Sequence, residues 1–183
     1  MVKEVMVKEV VEVPSGVDVV IDGRKVVVKG PKGEVSRDFS FARNVRILKN
    51  GALVVVETYF ARRKGKALVR TIAAHIKNMI IGVTKGFRYK LKIIYSHFPI
   101  SVKVVNDKVL IENFLGEKAP RIANIVGNAK VKVGRQDIVV EGLDIEEVGQ
   151  TAANIERATR IKGLDRRIFV DGIYLYEKGF AEG

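Results

Sequence analysis

The first third of the chain alternates in a way that predicts β-structure. Two Val-rich runs in VDVVIDGRKVVVKG (17–30) are joined by Asp22-Gly23, a strong hairpin signal. Gly30-Pro31-Lys32-Gly33 reads as a turn cluster, and VRILKNGALVVVETYF (45–60) as a second hairpin turning at Asn50-Gly51. Leu68, Ile72, Ile76 and Met79 then recur at helical spacing, which predicts a helix over 66–80 with one buried stripe and a stop at Gly82. In GVTKGFRYKLKIIYSHFP (82–99), Phe87, Tyr89, Leu91 and Ile93 alternate with Arg88, Lys90 and Lys92. As a strand, that segment turns an apolar face one way and a cationic face the other. The cationic face is either a solvated surface or an RNA contact.

The pattern then repeats. FPISVKVVNDKVLIENFLGE (98–117) follows VPSGVDVVIDGRKVVVKGPKGE: Val102 and Val104 take the places of Val17 and Val19, and Gly116-Glu117 those of Gly33-Glu34. Downstream the period is 84: Asn44 falls on Asn128, Glu57 on Glu141, Gly65 on Gly149 and Ala74 on Ala158. That period is too long for a solenoid unit. It predicts an α+β protein of two tandem similar domains, 1–84 and 85–183, each with antiparallel strands packed against one α-helix.

Charge narrows the class of partner. The 183 residues carry 33 Lys and Arg against 21 Asp and Glu, a net charge of +12. Such a field suits a polyanion, because each cation that meets a phosphate releases condensed counterions. The cations are interspersed with acids and line no strongly amphipathic basic helix, so a membrane surface is not the expected partner. No apolar stretch approaches the ~18 residues that span a bilayer. Met1-Val2-Lys3-Glu4 opens on charge, so no signal peptide and a cytoplasmic location are expected. With no cysteine, neither a disulfide framework nor a thiolate metal site is available.

The densest cationic stretch is Ala61-Arg62-Arg63-Lys64-Gly65-Lys66, between an apolar run and the first helix. Gly65-Lys66 invites a phosphate-loop reading, but the required earlier glycine is Phe60 and the metal-binding hydroxyl is Ala67, so that reading fails. His75 and His97 have no local Asp, Glu or His at triad or metal spacing. Glu146-Glu147 are adjacent, so they do not face each other; they suit a helix N-terminus. No catalytic constellation, metal site or cofactor is expected. Where the first repeat has ARRKGK, the second has IEEVGQ (145–150). The same corner is basic once and acidic once, so the fold does not require it to be positive. In the second repeat the cations come later, at Arg157, Arg160, Lys162, Arg166 and Arg167, followed by the aromatic and cationic run RRIFVDGIYLYEKGF (166–180). Aromatics interleaved with cations suit loop RNA by stacking and folded RNA by phosphate contact.

VGQTAANIERATRIKGLDRRIFVDGIYLYEKG (148–179) resembles the C-terminal signature of the universal large-subunit ribosomal protein family six, in its archaeal and eukaryotic form. KGPKGE (29–34) resembles the family's first-repeat turn, and NMIIGVTKGFRYKLKIIYSHFPI (78–100) its inter-domain segment. The resemblance implies a non-catalytic structural protein that binds large-subunit rRNA mainly through its second domain. It implies a place near the sarcin–ricin loop and the stalk base, with neighbouring ribosomal proteins and translational GTPases close by. By that resemblance Arg157, Arg160, Lys162, Arg166, Arg167, Lys178 and Tyr174 are the candidate RNA contacts in the second domain. Gly163 and Gly172 would let the backbone approach the RNA, and Asp171 would shape the turn beside Gly172. Arg62, Arg63, Lys64 and Lys66 are the first-domain candidates, facing rRNA, protein or solvent. The alternative function is a protein–protein adaptor that works through exposed sheet edges, with little direct RNA binding.

Overall fold

The computed structural model describes residues 4–165 and 167–181. The chain divides into two compact units, Met1–Lys85 and Gly86–Gly183.

The first unit runs β1 (Glu4–Glu12), β2 (Asp18–Asp22), β3 (Lys25–Gly30), β4 (Gly33–Asp38), β5 (Arg46–Asn50), β6 (Leu53–Ala61) and α1 (Arg63–Thr84). Its strands form two antiparallel sheets, in the orders β1-β6-β5 and β2-β3-β4. One core joins them: Val11, Ile47, Val54 and Val56 from the first sheet, Val19, Val26 and Val28 from the second, and Val69, Ile72, Ile76, Ile80 and Val83 from α1. Both expected hairpins form. Gly23 and Gly51 take φ of 59° and 61°, the left-handed values that let two-residue loops reverse the strands.

The helix is longer than its apolar spacing suggests. It begins at Arg63, inside the cationic cluster, and winds through Gly82, which is buried rather than terminal. The stop comes at Gly86, whose φ of 72° ends the helix in the left-handed conformation common after a last turn.

The second unit repeats this order with β7 (Phe87–Ile94), β8 (Ser101–Val105), β9 (Lys108–Glu112), β10 (Arg121–Asn124), β11 (Lys130–Val133), β12 (Asp137–Gly142) and α2 (Ile145–Ala158). It adds β13 (Gly172–Phe180), which has no counterpart in the first unit. The sheets are β11-β12-β7-β13 and β10-β9-β8, so β13 covers the edge of β7. Phe87, Tyr89, Leu91 and Ile93 of β7 are buried, as their alternation implies, with Ile138, Val140, Val148, Ile155 and Ile173.

Strand register explains the recurring glutamates. Glu57 lies in a central strand between Lys8 of β1 and Arg46 of β5. Glu141 lies likewise between Arg88 of β7 and Lys130 of β11. Each repeat thus sets a carboxylate between two cations on one sheet face, a favourable cross-strand arrangement.

Register also corrects two pairings. Val26 and Val28 bury as Val109 and Ile111 do, so their strand partners Ile21 and Val19 match Val104 and Val102. That is two residues along from the Val17/Val19 pairing read from sequence. Gly33-Glu34 does not match Gly116-Glu117. Two residues, 31–32, join β3 to β4, whereas eight, 113–120, join β9 to β10. The longer connection carries a short 3-10 turn, Phe114–Gly116, and buries Phe114.

Two glycines test the packing in opposite directions. A Cβ on Gly30 would lie 2.6 Å from Val83 Cγ2 and 2.9 Å from the Val83 carbonyl oxygen, where α1 meets the β3–β4 turn. A Cβ on Gly149, inside α2, would meet nothing nearer than Tyr89 Cε2 at 3.8 Å. Gly30→Ala should lower stability by about 1–3 kcal/mol. Gly149→Ala should raise it by about 0.5–1 kcal/mol through helix propensity. Denaturant unfolding of the two variants checks both signs.

Candidate nucleic-acid interface

The cations of β7 are mostly engaged within the protein. Arg88 Nε donates to Glu141 Oε1 at 2.7 Å, and Lys90 Nζ lies 2.9 Å from Glu177 Oε1. Lys132 also reaches Glu141, at 2.8 Å, and these two cations hold that carboxyl below its usual range despite partial burial: the Lys132 hydrogen bond is the largest cause, with Arg88 behind it. Only Lys92 of the three β7 cations is exposed. Arg88 and Lys90, both half-buried, neutralise neighbours on their own sheet.

The situation changes after α2. Arg157, Arg160, Lys162 and Arg167 are exposed, and among the described residues their side chains make no ion pair. Arg166 lies outside the described residues. Arg157 sits in the last turn of α2, where a cation complements the helix dipole. An open cleft of about 440 Å³ lies between that end of the helix and the start of β13, lined by Glu156, Arg157, Thr159, Arg160, Ile161, Phe169, Val170 and Tyr174. Arg157, Arg160 and Tyr174 are thus brought together, with Phe169 as a second aromatic wall. Two guanidinium groups beside two aromatic rings suit a base or a phosphate, with the Glu156 carboxylate also on the lining.

Hydrogen bonds fix its walls. Thr159 Oγ1 accepts from Ile173 N at 3.0 Å, and Tyr174 Oη donates to the Val170 carbonyl at 3.1 Å. A Cβ on Gly172 would stand 3.0 Å from the Tyr174 ring, so this glycine makes room for an aromatic of its own chain. Gly163 has φ of 75° and open space around it, so its glycine serves the backbone turn. Arg121, which carries no motif signal, pins the helix end: its Nη1 donates to the carbonyls of Ala158 and Arg160 at 2.9 and 3.1 Å. Its other nitrogens hold Glu117 at 2.6 and 2.8 Å, and its guanidinium lies 4.3 Å from the Phe114 ring centroid. The long β9–β10 connection is thereby tied to the cleft.

Lys178 does not join this group. The register of β13 slips between Leu175 and Glu177. Such a bulge puts Lys178 opposite Tyr89, on the helix-facing side, while Tyr174 stands opposite Lys92 on the other face. Lys178 Nζ lies 5.6 Å from the Tyr89 ring centroid. Tyr89 packs beside Gly149, eight residues before Arg157 and hence about 12 Å away along the helix.

In the first unit Arg62, Arg63 and Lys64 are exposed and Lys66 is half-buried at the N-terminus of α1. That terminus has no side-chain cap and no acidic residue in its first turn. At α2, by contrast, Asp144 accepts from Glu146 N at 2.8 Å, and Glu146 and Glu147 occupy the first turn. The basic corner works against its helix dipole and the acidic one with it. Beside the basic corner Phe60 is 68% exposed and holds φ of 49°, an unusual conformation for an aromatic residue.

His97, which has no local acidic or histidine partner in sequence, has a distant one. Asp171, fully buried, accepts from Ser96 Oγ at 2.8 Å, Ser96 N at 3.2 Å, His97 N at 3.2 Å and His97 Nδ1 at 3.0 Å. An ionised carboxylate only accepts, so Nδ1 carries the hydrogen and Nε2 is the outward nitrogen. Ser96 Oγ also approaches Nδ1, at 3.0 Å. In a hydrolytic triad the serine and the carboxylate engage opposite ring nitrogens. Here both meet the same one, so the imidazole cannot relay a proton between them. Asp171 thus grips a loop far away in sequence instead of shaping a turn beside Gly172, where β13 begins. Among the described residues no cluster of acids and histidines could hold a metal, and no helix is long and apolar enough to cross a membrane.

The family described as ribosomal protein L6 matches the chain twice, over residues 13–86 and 98–172. The chain is 63% identical over 177 residues to the large ribosomal subunit protein uL6 of Desulfurococcus amylolyticus, covering 96% of each chain. It is 61% identical to the protein of that name from Aeropyrum pernix and 59% identical to that from Ignicoccus hospitalis, covering 97% of this chain and 98% of the relative in both cases.

The Asp171 contacts carry a pH dependence. Burial raises the carboxyl's pKa, but hydrogen bonds from His97 and Ser96 outweigh it and hold the group at about 2, against an ordinary 3.8. A depressed carboxylate contributes stability that is present above its unfolded pKa and lost as pH falls through the folded one. Stability of about 2 kcal/mol should therefore disappear between about pH 4 and pH 2. Asp171→Asn should remove that component, which unfolding curves across this range would show.

Proposed function

The chain belongs to the ribosomal protein L6 family, and on that premise we propose that it is a structural, non-catalytic constituent of the large ribosomal subunit that binds large-subunit rRNA mainly through its second domain. The observation that carries the RNA reading is the contrast in charge pairing. Arg88, Lys90 and Lys132 on the sheet are neutralised by Glu141 and Glu177, whereas Arg157, Arg160, Lys162 and Arg167 are exposed and engage no carboxylate among the described residues. Exposed unpaired cations around an aromatic-walled cleft favour phosphate contact with base stacking beside it. Arg166, Tyr174 and Lys178 complete the proposed second-domain contacts, with Lys178 engaging a separate stretch of backbone. The location proposed, near the sarcin–ricin loop and the stalk base where translational GTPases dock, is the one the family resemblance implies.

The cluster at Arg62, Arg63, Lys64 and Lys66 is proposed as a secondary anionic contact. An unfavourable dipole and crowded like charges are both relieved by a phosphate.

The salt dependence of rRNA binding tests the proposal. Six phosphate contacts give a log–log slope of roughly −4 to −5. Replacing Arg157, Arg160 and Arg167 together by Gln should flatten the slope by roughly 2–3. A slope that three removed charges leave unchanged contradicts these contacts. Binding that barely responds to salt and survives nuclease favours the protein–protein adaptor instead.

A further inference from the structure

The two repeats differ at the places that surround the cleft. Between the equivalent positions Val13 and Val19 lie five residues; between Ile93 and Val102 lie eight. The lengthened loop carries Ser96 and His97. The chain beyond α2, including Asp171 and β13, also has no counterpart in the first unit. Ser96 and His97 hold Asp171 through four hydrogen bonds, and the His97 ring stacks on Phe169, centroids 4.6 Å apart at 25°.

We propose that the Ser96–His97 loop is a clip that fixes the cationic segment between α2 and β13 in its RNA-binding shape, with His97 a positioning residue and not an RNA contact. The inference rests on the RNA-binding reading above. The described residues between Ile161 and Asp171 have neither helix nor strand to hold them. Their local bonds converge on Asp165: Arg167 N donates to its Oδ1 at 2.9 Å, and Ile168 N and Phe169 N to its carbonyl at 3.1 and 2.9 Å. Ordering such a segment on binding costs about 1–2 kcal/mol for each residue fixed. A clip that orders it beforehand removes part of that cost from association. The grip on Asp171 sets where β13 begins, and the stack on Phe169 sets one wall of the cleft that Arg157 and Arg160 line.

Three substitutions at one position separate positioning from contact. In His97→Asn the side-chain amide N–H stands where Nδ1–H stood and can regain Asp171, whereas in His97→Gln it reaches toward the place of Nε2. In the full-length protein, His97→Ala should weaken large-subunit rRNA binding about tenfold, the effect of one charge-assisted hydrogen bond. It should also speed amide exchange between α2 and β13 and leave α2 protected. His97→Asn, which restores the Asp171 bond but not the stack on Phe169, should recover part of both effects and His97→Gln little of either. Ser96→Ala, which removes only the hydroxyl bond, should give a smaller loss in the same direction.

The proposal is overturned if His97→Ala binds as tightly as the unchanged protein. It is equally overturned if Ala and Asn weaken binding alike with no change in exchange, since the ring then touches RNA itself. An unchanged protein that binds no rRNA removes the RNA reading and this one with it. Intact binding by that protein beside a fully active His97→Ala variant removes only the clip.

Discussion

A buried carboxylate is the constraint on which the second unit turns. Asp171 has no exposed surface, and an ionised carboxyl in such a place is stable only if donors surround it. The donors come from Ser96 and His97, far away in sequence, so the chain end and the β7–β8 loop must meet. Once they meet, β13 can start at Gly172 beside Ile94 and run along the edge of β7. The sheet gains a fourth strand, and the segment before it is drawn past the end of α2. The cleft is the space left by that path.

The duplication shows what the fold needs and what it leaves open. Both repeats bury valine and isoleucine from two sheets against one helix, and both set a glutamate between cations on neighbouring strands. Those features belong to folding. The helix N-termini do not share their chemistry. α2 is capped by Asp144 and followed by Glu146 and Glu147, whereas α1 opens on Arg63 and Lys64 without a capping side chain. A feature that opposes the helix dipole in one copy and is absent from the other finds its rationale outside the fold. The same logic separates Arg88 and Lys90, consumed by internal glutamates, from Arg157 and Arg160, which face the open cleft.

Much of the architecture is legible in the sequence because local signals carry it. The glycines at 23 and 51 mark tight reversals, the helical apolar stripe marks α1, and the recurrence marks two like units. Signals that depend on distant residues are not legible. Nothing in the sequence around His97 announces Asp171, and nothing around Arg121 announces the carbonyls of Ala158 and Arg160. The bulge after Leu175 reverses the face of Lys178, which simple alternation puts with Tyr174. Gly82 reads as a stop, but burial against the core carries the helix past it to Gly86. Of the second-domain candidates, Arg157, Arg160 and Tyr174 line one cleft, Lys162 and Arg167 lie on the segment beside it, and Lys178 stands apart.

On the function proposed, exposed cations around this cleft hold folded rRNA by charge and shape. Chemical probing of large-subunit rRNA with the full-length protein, at low and at raised ionic strength, tests it most directly. A discrete segment should be protected at low ionic strength and lose that protection as salt rises. Uniform reactivity at every ionic strength, with no segment shielded, would contradict it.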